Sequence, residues 1–178
     1  MASFAERMIG AAKLDSATYE EVEADSTATN QAMLVVVISS VAAGLGSVGS
    51  MGVMGLVVGT ISALVGWFIW AGLTFLIGTK LLPEPQTEAD MGQLLRTIGF
   101  ASSPGILRIF GFIPGLGILI SLAAGLWMLA AMVVATRQAL DYKSTGRAVA
   151  VCAIGFVVYL VVAGMVGLGS IAAAGLSN

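Results

Sequence analysis

The sequence predicts an all-α fold: a polytopic membrane helix bundle with five spans, preceded by short amphipathic and acidic helices. Three observations predict it. Of 178 residues, 58% are hydrophobic and only 10% charged, whereas soluble domains carry about 25% charge. Mean hydropathy is +0.98. Apolar runs close to membrane length recur along the chain. So few charges cannot cover a water-facing surface, and the length is that of one domain.

Residues 1–29 read as a cytoplasmic amphipathic and acidic pre-membrane segment. Within ASFAERMIGAAK, a helix sets Phe4, Met8, Ala11 and Ala12 on one face, with Glu6, Arg7 and Lys13 largely elsewhere. This pattern predicts an interfacial helix with Phe4 and Met8 in lipid. Asp15 or Ser16 caps a second short helix, ATYEEVEA. Six of the ten acidic residues (Glu6, Asp15, Glu20, Glu21, Glu23 and Asp25) lie here, as a solvated face or a docking face for a basic partner. No basic n-region followed by an apolar core precedes the first span, which is expected to act as an uncleaved anchor.

The membrane domain is expected over 30–171, with spans at about 30–48, 53–82, 92–113, 115–136 and 148–171, and 172–178 as a tail. In the first span, Ser39 and Ser40 can bond their own helix carbonyls. A glycine-rich link of Gly44, Gly46, Gly49 and Gly52 lacks the Lys of a phosphate loop and reads as a flexible turn. The second span carries Gly55, Gly59 and Ala63 at four-residue spacing, and also Ser62 and Gly66. Small residues let backbones approach where lipid supplies no hydrophobic drive for pairing. Trp67, Phe68 and Trp70 are expected to fill space between helices, with indole N–H groups seeking carbonyls. Pro83 and Pro85 end the helix. Thr87 with Asp90 resembles a capping box, opening an amphipathic ramp lined by Met91, Leu94, Leu95 and Ile98. Further small-residue rows are Gly117, Ser121 and Gly125 in the fourth span, and Gly155, Tyr159, Ala163 and Gly167 in the last. Arg137, Asp141, Lys143 and Arg147 mark a polar turn between these spans.

The stretch Gly92 to Pro114 decides the topology. If it re-enters, five basic residues lie inside and three outside. If it crosses, Arg7, Lys13, Lys80, Arg96, Arg137, Lys143 and Arg147 lie inside and Arg108 alone outside. The positive-inside rule favours five crossings, with the N-terminus cytoplasmic and the C-terminus outside. The third span is then short and kinked at Pro104, with Arg96 and Arg108 snorkelling to opposite surfaces. Pro104 frees the carbonyl of Phe100, which Ser102 or Ser103 is placed to satisfy.

Composition also narrows the chemistry. Net charge is −2, so no basic face for nucleic acid is expected. Histidine is absent, which removes imidazole ligation and His-dependent relays. The one cysteine, Cys152, lies in an apolar run as a packing residue. Nine methionines are scattered, as adaptable packing rather than copper ligands. The spans hold no paired acids, metal-ligand cluster or serine–base pair, so no catalytic, cofactor-binding or metal-binding residue is expected.

The arrangement resembles the Yip family of membrane proteins, named for interaction with Ypt/Rab GTPases, in its prokaryotic form. Three features carry the resemblance, which runs from about Phe4 to Gly167. An acidic YEEVEAD segment precedes the first span. Leu95, Arg96, Gly99, Phe100 and Pro104 match a Leu-Arg-x-x-Gly-aromatic…Pro pattern. A fourth span with Trp127 is followed by a polar turn ending in Arg147 and Ala148. The Asp-Leu-aromatic-Gly-Pro motif of eukaryotic members is absent. The family implies five spans, a cytosolic N-terminus and, in eukaryotes, a role in trafficking or membrane organisation. For prokaryotic members it implies no defined activity.

The expected function is therefore that of a non-enzymatic integral membrane protein acting through helix–helix and cytoplasmic-face contacts, in membrane organisation or as an accessory subunit. The alternative is a small transporter or channel component using the broken third helix, with Ser102, Ser103 and Arg108 at the break. Expected partners are the lipid bilayer and other membrane subunits or a second copy. The expected location is the cell membrane.

Overall fold

The computed structural model describes residues 2–46 and 52–176, with side chains as far as 162. Among the described residues it is all helical. The α-helices are α1 (Phe4–Ala12), α2 (Ser16–Ala24), α3 (Thr29–Gly46), α4 (Gly52–Leu76), α5 (Met91–Phe100), α6 (Gly117–Ala139) and α7 (Thr145–Leu176). A π-helical turn, Ile77–Leu81, extends α4, and a 3-10 segment, Ser103–Phe112, follows α5. Most of the glycine-rich link lies outside the described residues.

Among the described residues, four stretches are long and apolar enough to cross a membrane: Ser26–Gly46, Gly52–Leu81, Gly117–Ala139 and Thr145–Val162. The expected third span, 92–113, is not one kinked helix. The α geometry ends at Phe100, before Pro104, because proline has no N–H to give the Phe100 carbonyl. Ser103 Oγ donates to that carbonyl instead, at 2.7 Å. The chain then continues as a 3-10 helix with proline in its first turn. A 3-10 helix rises about 2.0 Å per residue against about 1.5 Å for an α-helix. The segment is thereby stretched and keeps pace with α3 beside it. Gly99 lies against Ala32, Gly105 against Ser39, and the Arg108 carbonyl and Gly111 against Gly46. The two chains run in the same direction.

Nor is α5 a ramp with one wet face. Leu94, Leu95, Arg96, Thr97, Ile98, Gly99 and Phe100 are all buried, because α2, α3, α4 and α6 each pack on it. Its cap is Asp90, which with Gln93 forms the capping box; Thr87 Oγ1 instead accepts from the Glu84 amide. The core gathers at this end of the bundle, around Tyr19, Val22, Leu94, Ile98, Phe100, Ala135, Leu140 and Tyr142. Lipid-facing side chains project from α4, α6 and α7, among them Val53, Phe68, Leu126 and Val157. Phe68 is thus on the outer surface, while Trp67 packs inward and its Nε1 donates to the Leu95 carbonyl at 3.0 Å.

The end of α6 is closed by a Schellman turn. Tyr142 N–H reaches back to the Arg137 carbonyl at 2.9 Å, and Asp141 takes a left-handed conformation (φ 52°). This turn aims Tyr142 at the π-helical turn, where its hydroxyl donates to the carbonyls of Gly78 and Leu82.

The closest helix approach is at Gly46, where an added Cβ would strike the carbonyl of Arg108. Gly59, on α4, has nothing within 4 Å of that position. Gly46→Ala is expected to destabilise the protein by roughly 2–3 kcal/mol through overpacking. Gly59→Ala is expected to be neutral or stabilising by up to about 1 kcal/mol through helix propensity. Thermal unfolding in mild detergent checks both; equal melting of the two variants would show that α3 and the 3-10 segment do not meet so closely.

Candidate functional site

Two places concentrate the polar chemistry, one at each end of the bundle. At the first, the pre-membrane segment is latched onto α5. Arg96 is 7% exposed. Its Nε donates to the carbonyls of Val22 and Glu23, each at 3.0 Å, and its Nη2 also donates to Glu23. These are among the last carbonyls of α2, which have no partner within their own helix. A cation there also meets the negative end of the helix dipole. Arg96 therefore does not snorkel to a surface; it caps another helix.

Arg7, expected on the polar face of α1, is almost fully buried. It pairs with Glu21 at 2.9 Å and Asp25 at 2.8 Å, and donates to Gln31 Oε1 at 3.1 Å. Phe4 does not enter lipid alone but lies edge-on to Phe100. The exposed apolar side chain of α1 is Ile9, not Met8. Two acidic residues of α2 also reach the protein: Glu20, itself exposed, accepts from Gln138 Nε2, and half-buried Glu23 from Gln93 Nε2. Burial, with Asp141 adding to it and Arg96 opposing, pushes the Glu23 carboxyl up to about 7. The Tyr19 hydroxyl donates to the Ala11 carbonyl and closes the seam between α1 and α2.

The second place is a cleft between α3, α4, the 3-10 segment and α6, with a volume of about 460 Å³. One wall is the small-residue row of α4: Gly55, Gly59, Ala63 and Gly66. The other carries Ser39, Ser40, Ser102 and Arg108. Ser40 Oγ donates back to the Val37 carbonyl at 2.9 Å and meets Thr60 Oγ1. The buried Trp70 Nε1 has no partner among the described residues. The Arg108 guanidinium lies over Gly125 of α6, where an added Cβ would stand 3.8 Å from Nη2. Gly125 is eight residues into α6, about 12 Å along its axis, so the head group is turned along the bundle.

A family model for the Yip1 domain matches residues 15–165. The chain belongs to the Yip1 family. With the four apolar helices, this makes it a multi-pass membrane protein. No curated protein and no solved structure matches the chain.

The residues that carry the Yip resemblance come together in the latch. Within this Yip1-family chain, Leu95 accepts from Trp67, Arg96 caps α2, Gly99 meets Ala32, and Phe100 meets Phe4. Pro104 starts the 3-10 segment. Trp127, far off in sequence, donates Nε1 to the Ala12 carbonyl at 2.7 Å and ties α6 to the end of α1. The sequence reading missed the glutamines. Gln31, Gln86, Gln93 and Gln138 all bond across elements at this end. Their signal was available: uncharged amides in a chain this apolar, each near an element end.

Arg96→Ala is expected to remove about 3 kcal/mol of stability, since it strips a charge-assisted cap from buried carbonyls. Arg96→Lys should recover less than half of that, because a point charge cannot fork to two carbonyls. Hydrogen exchange over residues 15–25 checks the mechanism; protection there unchanged in Arg96→Ala would refute it.

Proposed function

We propose that this Yip1-family protein is a non-enzymatic membrane-organising protein or accessory subunit that works by contacts within the bilayer. The observation that carries this reading is the small-residue wall of α4. Such a row ordinarily packs against a neighbouring helix of the same chain. Here, among the described residues, nothing stands within 4 Å of a Cβ added at Gly59 or Gly66, beside a cleft of about 460 Å³. The wall is left for something outside the chain, a partner helix or a second copy. The expected result is that the wild-type protein leaves mild detergent with a stoichiometric partner or as a defined oligomer, by native mass spectrometry. Gly59→Leu with Gly66→Leu, which fills the wall, should disperse it. Purification as a clean monomer with no partner would overturn the reading.

The same proposal includes five crossings, with the N-terminus cytoplasmic and the C-terminus outside. The parallel course of the 3-10 segment and α3 supports it, from Gly99 beside Ala32 to Gly111 beside Gly46. So does the distribution of charge, in which only Arg108 is remote from the latch end. Cysteines placed at Asp90 and Asp141 are expected to label from one side of the membrane, and a cysteine at Gly115 from the other. Labelling of the first two from opposite sides would refute this topology.

A further inference from the structure

We propose that Arg108 holds the phosphate of a membrane phospholipid headgroup. This goes beyond the contact reading and does not rest on it. The first ground is charge segregation. The acidic residues are Glu6, Asp15, Glu20, Glu21, Glu23, Asp25, Glu84, Glu88, Asp90 and Asp141. All lie on α1, α2 or the polar connections that meet them, as the bonds Glu20–Gln138, Glu23–Gln93, Gln86–Asp141 and Glu84–Lys143 show. Of the other basic residues, Arg7 and Arg147 lie there in ion pairs, Arg96 on helix carbonyls, and Arg137 and Lys143 in the turn after α6. Arg108 stands apart on the 3-10 segment, level with the far end of α3. Among the described residues no carboxylate pairs with it, and residues 47–51 and 163–178 contain no Asp or Glu. Arg108 is half-buried on a membrane segment; a guanidinium there without an anion is costly, so the site calls for an anion from outside.

The second ground is the space around it. Arg108 borders two cavities. One is the cleft described above. The other, about 510 Å³, runs from the start of α6 at Gly117 and Ile118, past Ser121 and Leu122, to Arg108. A planar guanidinium matches phosphate oxygens in a two-pronged bond. The mouth decides the source. Ile118 and Leu122 are exposed apolar side chains on a membrane helix, so the ligand arrives sideways from the bilayer with its acyl chains against them.

The test uses the full-length protein, delipidated in mild detergent and titrated in native mass spectrometry with phosphatidylglycerol, with a diacylglycerol of equal chain length, and with inorganic phosphate. The wild type is expected to retain one phosphatidylglycerol and to bind the diacylglycerol at least tenfold more weakly. Arg108→Gln should lose at least tenfold in phosphatidylglycerol affinity, and Arg108→Lys should keep part of it. Equal retention of both lipids by the wild type overturns the proposal without any variant. So does a folded Arg108→Gln protein that binds phosphatidylglycerol as the parent does. Displacement of the lipid by low-millimolar inorganic phosphate would assign the site to a soluble ion and overturn the lipid source.

Discussion

The guanidinium of Arg96 on the closing carbonyls of α2 is the contact on which the rest depends. A membrane helix buried all round needs cover from several neighbours, and α5 has α3, α4 and α6 on its other sides. The remaining side falls at the bilayer edge, where an apolar helix would leave its own ends unsatisfied. The chain covers it with α2, a short and very acidic helix. An acidic helix can lie there only if its carbonyls and carboxylates find partners. Arg96 takes the carbonyls; Arg7, Gln93 and Gln138 take the carboxylates. Part of the acidic segment's charge is thus used to hold it down, while Glu6, Asp15 and Glu20 stay on the exposed side.

That arrangement concentrates the core at one end. Tyr19, Val22, Leu94, Phe100 and Tyr142 pack together there, and the π-helical turn and Schellman turn bring the ends of α4 and α6 into the same layer. Toward the far end the close approaches are made by glycines. Gly46 meets the 3-10 backbone and Gly44 meets Leu56, while Gly59 and Gly66 meet nothing among the described residues. Close packing and open cleft are thus two results of one choice of residues. Glycine admits a neighbour wherever the neighbour's path reaches it and leaves a gap wherever it does not.

The 3-10 segment links the two ends. Pro104 cannot continue the α ladder, and Ser103 satisfies the carbonyl that it frees. The tighter, longer-pitched helix that follows spans more distance per residue. Few residues therefore run beside a long stretch of α3, and Arg108 is carried to the far end of α3, where no described carboxylate pairs with it. The Yip1-family pattern of Leu95, Arg96, Gly99, Phe100 and Pro104 is in this light an architectural instruction. It says where α5 is clamped and where it stops being an α-helix.

The sequence by itself determined the solvent and the class. With 10% charge and repeated apolar runs, lipid has to face most of the surface, and backbone groups have to be satisfied within helices. It also determined the break near Pro104 and its rescue by a neighbouring serine, Ser102 or Ser103, because a missing amide and a nearby hydroxyl are local chemistry; the structure chose Ser103. Only the tertiary structure decided what Arg7, Arg96 and the glutamines do. Their partners lie on other elements, from 14 to 118 residues away, and a periodicity within one helix carries no record of them. The helix type after Pro104 was decided in the same way. Proline ends an α-helix, but the 3-10 path that follows runs beside α3, in a register given by Ala32, Ser39 and Gly46.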